Sequence, residues 1–366
     1  MNTREQTLLN PERTLHAKAA YTTRHMPPQS VATLLTEHVT PCAGDVVLAR
    51  IQKLGQHQHI ELAHGRRARL FVGDEIIVSY GHRYAPDQFE ALVPDNLDAC
   101  HLVAAGGVAA RVACSHDTMK KPTAIVPLGL LGDRDGNPLN LSRWAVPAVS
   151  SLRSKPLTIA VVGTSMNAGK TTTAAYLIKG LVAAGLRVGA AKLTGTGAGP
   201  DVWFMSDAGA NPVLDFVDAG FASTYRASLE QLRHIAALLT GQLRSRAIDA
   251  MVLEIADGLY QEETAGLLSS PCFTAMLDGV IFATGDAMGA SSGVQWLRQR
   301  KLPVCGLSGV LSRSPLATRE AQEVTGLPVL SLEALAHPTI ATAFQVSPAN
   351  HRITAKESMT CTSLVS

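Results

Sequence analysis

Residues 157–172 read Leu-Thr-Ile-Ala-Val-Val-Gly-Thr-Ser-Met-Asn-Ala-Gly-Lys-Thr-Thr, and no other stretch constrains the fold as much. The apolar run Thr158–Gly163 has the texture of a strand buried on both faces. Helical periodicity begins at Thr171 and continues to Ala184, ending near Gly185. Between them lies a glycine-bounded turn that closes on Lys170 and Thr171. A strand, such a loop and a helix together form a cradle for phosphate. Glycine lets successive backbone N–H groups curl round an oxyanion, and the helix N-terminus adds its own free N–H groups and dipole. The candidate cradle residues are Gly163, Thr164, Asn167, Ala168, Gly169, Lys170, Thr171 and Thr172. Lys170 is placed to meet the β- and γ-phosphates, and the Thr171 hydroxyl to ligate Mg²⁺.

The pattern strand-then-helix recurs after this loop. Arg187–Lys192, Ala250–Ile255, Gly279–Thr284, Pro303–Gly309 and Pro328–Leu330 read as strands, and Leu229–Leu243 as an amphipathic helix. This alternation predicts a parallel sheet covered by helices. Ligands of open α/β sheets gather at the carboxyl ends of the strands. Two charged strand ends are therefore candidates, Lys192 for substrate contact and Glu254 for metal. Asp257, three residues on, is open between a supporting role and a turn residue.

The chain before residue 150 has a different texture. Short β-rich runs at 45–52, 59–62, 67–72, 75–80, 101–105, 108–114 and 123–131 are separated by glycine-containing or polar turns. They predict a small barrel or a compact α+β unit. Weak helical periodicity marks Ser30–His38, and a linker is expected at 142–156. The expected organisation is a β-rich domain at 1–150, a nucleotide-binding domain at 151–342 and a patternless tail at 343–366. The loop Gly81–Tyr84 offers Arg83 for an anionic substrate. His57, His59 and His64 lack the spacing of a zinc site. Ser115-His116-Asp117 is adjacent in sequence and so cannot form a relay of hydrogen bonds.

Composition narrows the function classes. The net charge is +2, which gives no electrostatic case for nucleic acid or an anionic membrane surface. Hydrophobic residues make up 46%, enough for a sizeable core, and no apolar run is long enough for a membrane span. The opening residues carry no apolar stretch, so no secretory signal is expected. The six cysteines are scattered without a CxxC pair, as befits a reducing compartment, and a cytoplasmic protein is expected.

Five residues separate Gly163 from Gly169, where the common phosphate-loop pattern has four. The longer form resembles the dethiobiotin synthetase group of P-loop proteins, within the SIMIBI class. The likeness continues in Lys192-Leu-Thr-Gly-Thr-Gly, Ser206-Asp207-Ala208, Glu254-Ile-Ala-Asp-Gly, Phe282–Ser292 and Cys305–Ser312, and spans roughly 157–335. It implies a homodimeric, Mg-ATP-dependent ligase. Such an enzyme phosphorylates a small-molecule carboxylate or carbamate, which an amine then attacks. It also implies Lys170 and Lys192 as catalytic, Asp207 and Glu254 as Mg²⁺ carboxylates beside Thr171, and Ser312 near the base. Asp201 is the alternative to Asp207. A nucleotide-driven switch or metallochaperone, and an N-acyltransferase holding coenzyme A phosphates, share the same phosphate site.

Overall fold

A computed structural model describes residues 6–151 and 155–344. The expected tail beyond 344 and the first five residues lie outside the described residues. The chain forms two compact units. The first comprises Met1–Ala148, Lys192–Trp203 and Leu214–Leu239, and the second Val149–Ala191, Phe204–Val213 and Thr240–Ser366. The boundary at 148/149 falls inside the 142–156 stretch, but two later segments also pack into the first unit.

The first unit is built on five strands: β1 (Val46–Lys53), β2 (Glu75–Tyr80), β3 (Cys100–Ala104), β4 (Val108–Ser115) and β5 (Thr123–Gly132). β5 pairs β1, β1 pairs β2, β4 pairs β3 and β3 pairs β5, all antiparallel; β2 pairs β4 in parallel. Each strand thus has two partners, and the five close into a barrel, which removes its free edges. Alternate residues separate into two apolar clusters. Val47, Ala49, Ile76, Val78, Leu102, Ala109 and Ile125 belong to one. Val46, Leu48, Ile77, Val103, Val108 and Leu131 belong to the other. A barrel wall buried on both faces explains why these strands read as apolar runs and not as a strict alternation.

The helical expectation over Ser30–His38 is not met. Thr33–Leu35 is a strand, clamped between Gln6–Leu8 and the end of β5. All three of its residues are buried, and ladder pairing on both edges outweighs a weak helical period.

The second unit carries β6 (Leu157–Gly163), α1 (Lys170–Ala183), β7 (Val188–Lys192), α2 (Pro200–Asp207), β8 (Val213–Asp215), α3 (Leu229–Arg244), β9 (Ala250–Glu254), β10 (Gly279–Ala283), α4 (Ala287–Gln299) and β11 (Val304–Ser308) as its framework, with β7, β8, α2 and α3 running into the first unit's segments. The sheet order is β8-β7-β9-β6-β10-β11. β6 pairs in parallel with both β9 and β10, and β10 with β11. β6 is therefore central, and every one of its residues is buried. Leu177, Ile178 and Leu181 of α1 pack on Ile159, Val161, Val252 and Ile281. The strand expected at Pro328–Leu330 is reduced to one bridge, Leu307 to Val329. This α/β architecture with a parallel sheet is the one expected from the sequence. Among the described residues, no helix is long and apolar enough to cross a membrane.

Candidate functional site

The phosphate loop leaves the carboxyl end of the central strand and enters α1. Its path is fixed at both ends. Thr164 N–H donates to the Ala283 carbonyl at 3.0 Å, and Val310 N–H donates to the Ala168 carbonyl at 3.1 Å. Asn167 and Gly169 adopt positive φ, 63° and 95°. Gly169 is the N-cap of α1, where a left-handed turn is cheapest without a side chain. Two further glycines hold the loop from outside. A Cβ on Gly258, just past β9, would lie 2.2 Å from the Thr164 carbonyl oxygen. A Cβ on Gly309, just past β11, would lie 2.2 Å from the Ala168 oxygen. The strand ends on either side thus touch the loop backbone directly.

Lys170 is 6% exposed, and its ammonium donates to the Ser165 carbonyl at 2.6 Å. The side chain therefore folds back over the loop from the first turn of α1. Glu254 is 1% exposed at the carboxyl end of β9. The Thr171 hydroxyl donates to Glu254 Oε1 at 2.7 Å. A buried carboxylate is expensive unless it meets a donor or a cation, so this pairing is the sign of a built site. Its oxygens, a hydroxyl and a carboxylate, are the hard donors that Mg²⁺ takes. The residues present thus fit a magnesium-bound phosphate. Asp257, in the turn after β9, holds a positive φ of 64°. Ser312 sits in the 3₁₀ turn Val310–Arg313, and its hydroxyl donates to the Gly309 carbonyl at 2.8 Å.

The two candidates for the second carboxylate differ sharply in surroundings. Asp207 closes α2 and is exposed, with no hydrogen bond or ion pair among the described residues. Asp201 lies in the first turn of α2 and forms an ion pair with Lys192. Lys192 itself is 8% exposed at the end of β7.

The first unit holds its own polar cluster. Arg24 donates through one Nη2 to Asp215 and to Asp218, both at 2.8 Å. Tyr21 donates to Asp215 at 2.6 Å, and His25 meets Asp218 at 2.6 Å. Burial pushes the Asp218 carboxyl up, but the His25 hydrogen bond and the Arg24 charge outweigh it and hold it below its ordinary value. Burial, helped by the Arg83 charge, pushes His57 down to about 4, so its ring is neutral. Arg83 lies in the short strand Arg83–Tyr84, is buried, and donates to Gln88 at 2.7 Å. The expected loop at Gly81–Tyr84 is thus partly strand, because Arg83 and Tyr84 pair with Ala91 and Glu90.

Of the residues singled out in the sequence, the structure brings together the loop, Lys170, Thr171 and Glu254. Sequence reasoning did not find the loop contacts of Gly258 and Gly309, although a glycine just after each strand end was there to be seen.

No family model matches this chain, and no curated protein matches it. Among solved structures, it is similar to the signal recognition particle 54 kDa protein from Aeropyrum pernix K1 in complex with GDP. That likeness has a TM-score of 0.36 and 21% identity, over 53% of this chain and 47% of that one. It is also similar to the signal recognition particle receptor FtsY from Elizabethkingia anophelis in complex with GDP. There the TM-score is 0.33 and the identity 16%, over 56% of this chain and 58% of that one. The chain spans about half the length of these structures. What the site's own geometry carries is the P-loop nucleotide-binding fold: a glycine-bounded loop between the central parallel strand and α1, closed on Lys170 and Thr171.

Proposed function

We propose that this protein is a Mg-ATP-dependent ligase that activates a small-molecule carboxylate or carbamate for attack by an amine. The observation that carries the phosphoryl-transfer part is the Thr171–Glu254 contact at the mouth of the phosphate loop, 2.7 Å and buried. A bound Mg-nucleotide would supply the γ-phosphoryl group to the carboxylate oxygen with release of the nucleoside diphosphate, and the amine would then displace phosphate from the acyl phosphate. The chain's own residues do the positioning. The loop's backbone N–H groups and the first turn of α1 bind phosphate oxygens. The Lys170 ammonium has three donors, one of which meets the Ser165 carbonyl, and a charged phosphate oxygen would be a strong further acceptor. Thr171 and Glu254 would hold Mg²⁺, with Asp201 or Asp207 as the further carboxylate. Lys192 would contact the carboxylate under attack. In such a site, charge neutralisation and alignment supply most of the rate.

The test is calorimetric titration of the full chain with Mg-ATP, Mg-GTP and coenzyme A. It is followed by phosphate release in the presence of small carboxylates and amines. We expect Mg-ATP binding and amine-dependent phosphate release, both lost in Lys170→Ala without loss of fold. Binding of coenzyme A alone would replace this reading with acyl transfer. Phosphate release that no carboxylate and amine pair stimulates would replace it with a nucleotide-driven switch.

A further inference from the structure

Lys192 ends β7, and Asp201, its ion-pair partner, lies in the first turn of α2. The loop 193–199 that joins them carries three glycines. Such a connector has little conformational preference of its own, so its path is set by what it touches. Gly197 N–H donates to the Ala222 carbonyl at 2.8 Å. Gly195 is tied to Thr224, its N–H on the hydroxyl at 2.8 Å and its carbonyl on the Thr224 N–H at 2.9 Å. Gly199 N–H donates to Glu61 Oε2 at 2.8 Å, and the Gly199 carbonyl accepts the Trp203 N–H at 2.9 Å, which closes the first turn of α2. Glu61 therefore grips the residue from which α2 starts, two positions before Asp201.

The barrel side of these contacts is one block. Glu61 is buried at the end of the short strand His59–Glu61, and its own N–H donates to the Ala105 carbonyl at 2.8 Å. Ala105 opens the turn between β3 and β4, and the next residue abuts the loop. A Cβ on Gly106 would lie 2.0 Å from the Gly197 oxygen and 2.8 Å from Ala198 Cα. Thr22 ties the turn down, donating its N–H to the Gly106 carbonyl at 3.0 Å and its hydroxyl to the Gly107 carbonyl at 2.8 Å. Burial pushes the Glu61 carboxyl up and the Asp201 charge adds to that push, against the Gly199 hydrogen bond and the Arg67 charge. Glu61 and Asp201 thus lie within electrostatic reach of each other. A buried acceptor and a backbone contact with no room for a methyl group are both rigid anchors, because neither can yield by swinging a side chain away.

We propose that Glu61 and the barrel turn 105–107 are positioning residues for Lys192. They fix the loop 193–199 and the start of α2, and through Asp201 they fix the direction of the Lys192 ammonium. This rests on the ligase reading only for what the ammonium meets, the carboxylate under attack; the positioning itself needs no nucleotide.

The experiment uses the full chain and reads the Lys192 ammonium directly, by its rate of acetylation with N-hydroxysuccinimidyl acetate, followed peptide by peptide in the mass spectrometer. Lys192 is 8% exposed and paired with Asp201, so it should react slowly in the parent. Lys170, also buried, is the internal reference, since a general loosening of the chain speeds both. We expect Asp201→Asn, Glu61→Ala and Gly106→Ala each to raise the ratio of the Lys192 rate to the Lys170 rate by about fivefold or more, as loss of one hydrogen bond or ion pair allows. In Glu61→Gln the amide oxygen still accepts from Gly199, and the ratio should stay within about twofold of the parent. That rescue separates the hydrogen bond from the loss of a charge. Should the crowded Gly106→Ala not fold, the two Glu61 variants decide. A parental ratio in Asp201→Asn, Glu61→Ala or folded Gly106→Ala, or an equal rise in Glu61→Gln, would overturn the proposal. None of these outcomes touches the ligase reading, which stands or falls on amine-dependent phosphate release.

Discussion

The contact between Gly258 and the phosphate loop allows a sharp test by adding one methyl group. In Gly258→Ala, the new Cβ would lie 2.2 Å from the Thr164 carbonyl oxygen, 3.0 Å from its carbon and 3.3 Å from Ser165 Cα. All three are backbone atoms, so no side chain can swing away. Ordinary contact begins near 3.4 Å, so either the loop or the turn after β9 has to move by something on the order of 1 Å. Both are anchored, the loop by Thr164 N–H on Ala283 and by Val310 N–H on Ala168, the turn by Thr264 Oγ1 on the Ala256 carbonyl. Overpacking of this kind costs roughly 1–3 kcal/mol of stability. The effect on function should be larger, because a misplacement of about 1 Å at a phosphoryl-transfer site can cost about a hundredfold. We expect Gly258→Ala to fold, to melt a few degrees lower, and to lose between about tenfold and a hundredfold in Mg-nucleotide affinity or turnover. Gly285→Ala is the control, since it lies just past β10 and its Cβ would meet nothing within 4 Å. It should bind and turn over as the parent does. Thermal melting and calorimetric titration on the three proteins decide the matter. Parental nucleotide affinity in a folded Gly258→Ala would refute the claim that this glycine seats the loop.

Other expectations follow from the same geometry. Thr171→Ala and Glu254→Gln should each weaken the Mg²⁺ dependence of nucleotide binding by about tenfold or more, read by titration with and without Mg²⁺; equal binding in both conditions for the parent chain would remove the metal role. Tyr21→Phe deprives the buried Asp215 of a hydroxyl donor and should cost roughly 1–3 kcal/mol in urea unfolding. Asp218 is held below its ordinary value of 3.8 in the fold, so its contribution is present above that pH and lost as pH falls through the lower folded value. Urea unfolding between neutral pH and acid should therefore show a fall in stability whose Asp218 component disappears in Asp218→Asn; an unchanged pH slope in that variant would count against the pairing. Gly241→Ala, within α3 with nothing near the added methyl, should raise stability by roughly 0.5–1 kcal/mol, and a destabilised variant would show the helix to be strained there.

The parts of this protein legible in the sequence are those fixed by local rules. The strand, loop and helix at 157–183 follow from an apolar run, two glycines and a 3.6-residue period, all within one short stretch. The strand ends at Lys192 and Glu254 follow from the same alternation, because a parallel sheet collects its strand ends on one side. Tertiary structure decided everything that depends on which segments meet. Five short runs carry no mark of pairing order, and only packing closes them into a barrel, with β2 and β4 side by side in parallel. The periodicity at Ser30–His38 was too weak to resist two neighbouring strands. Asp201 and Asp207 are indistinguishable as letters, yet one turn of helix and a half separates them: Asp201 reaches Lys192 and Asp207 is exposed. Glu61 and Gly199 are 138 positions apart and have no common motif, so their hydrogen bond is invisible until the chain is folded. Local propensity is written residue by residue, whereas the pairing of distant charges depends on the path of the whole backbone.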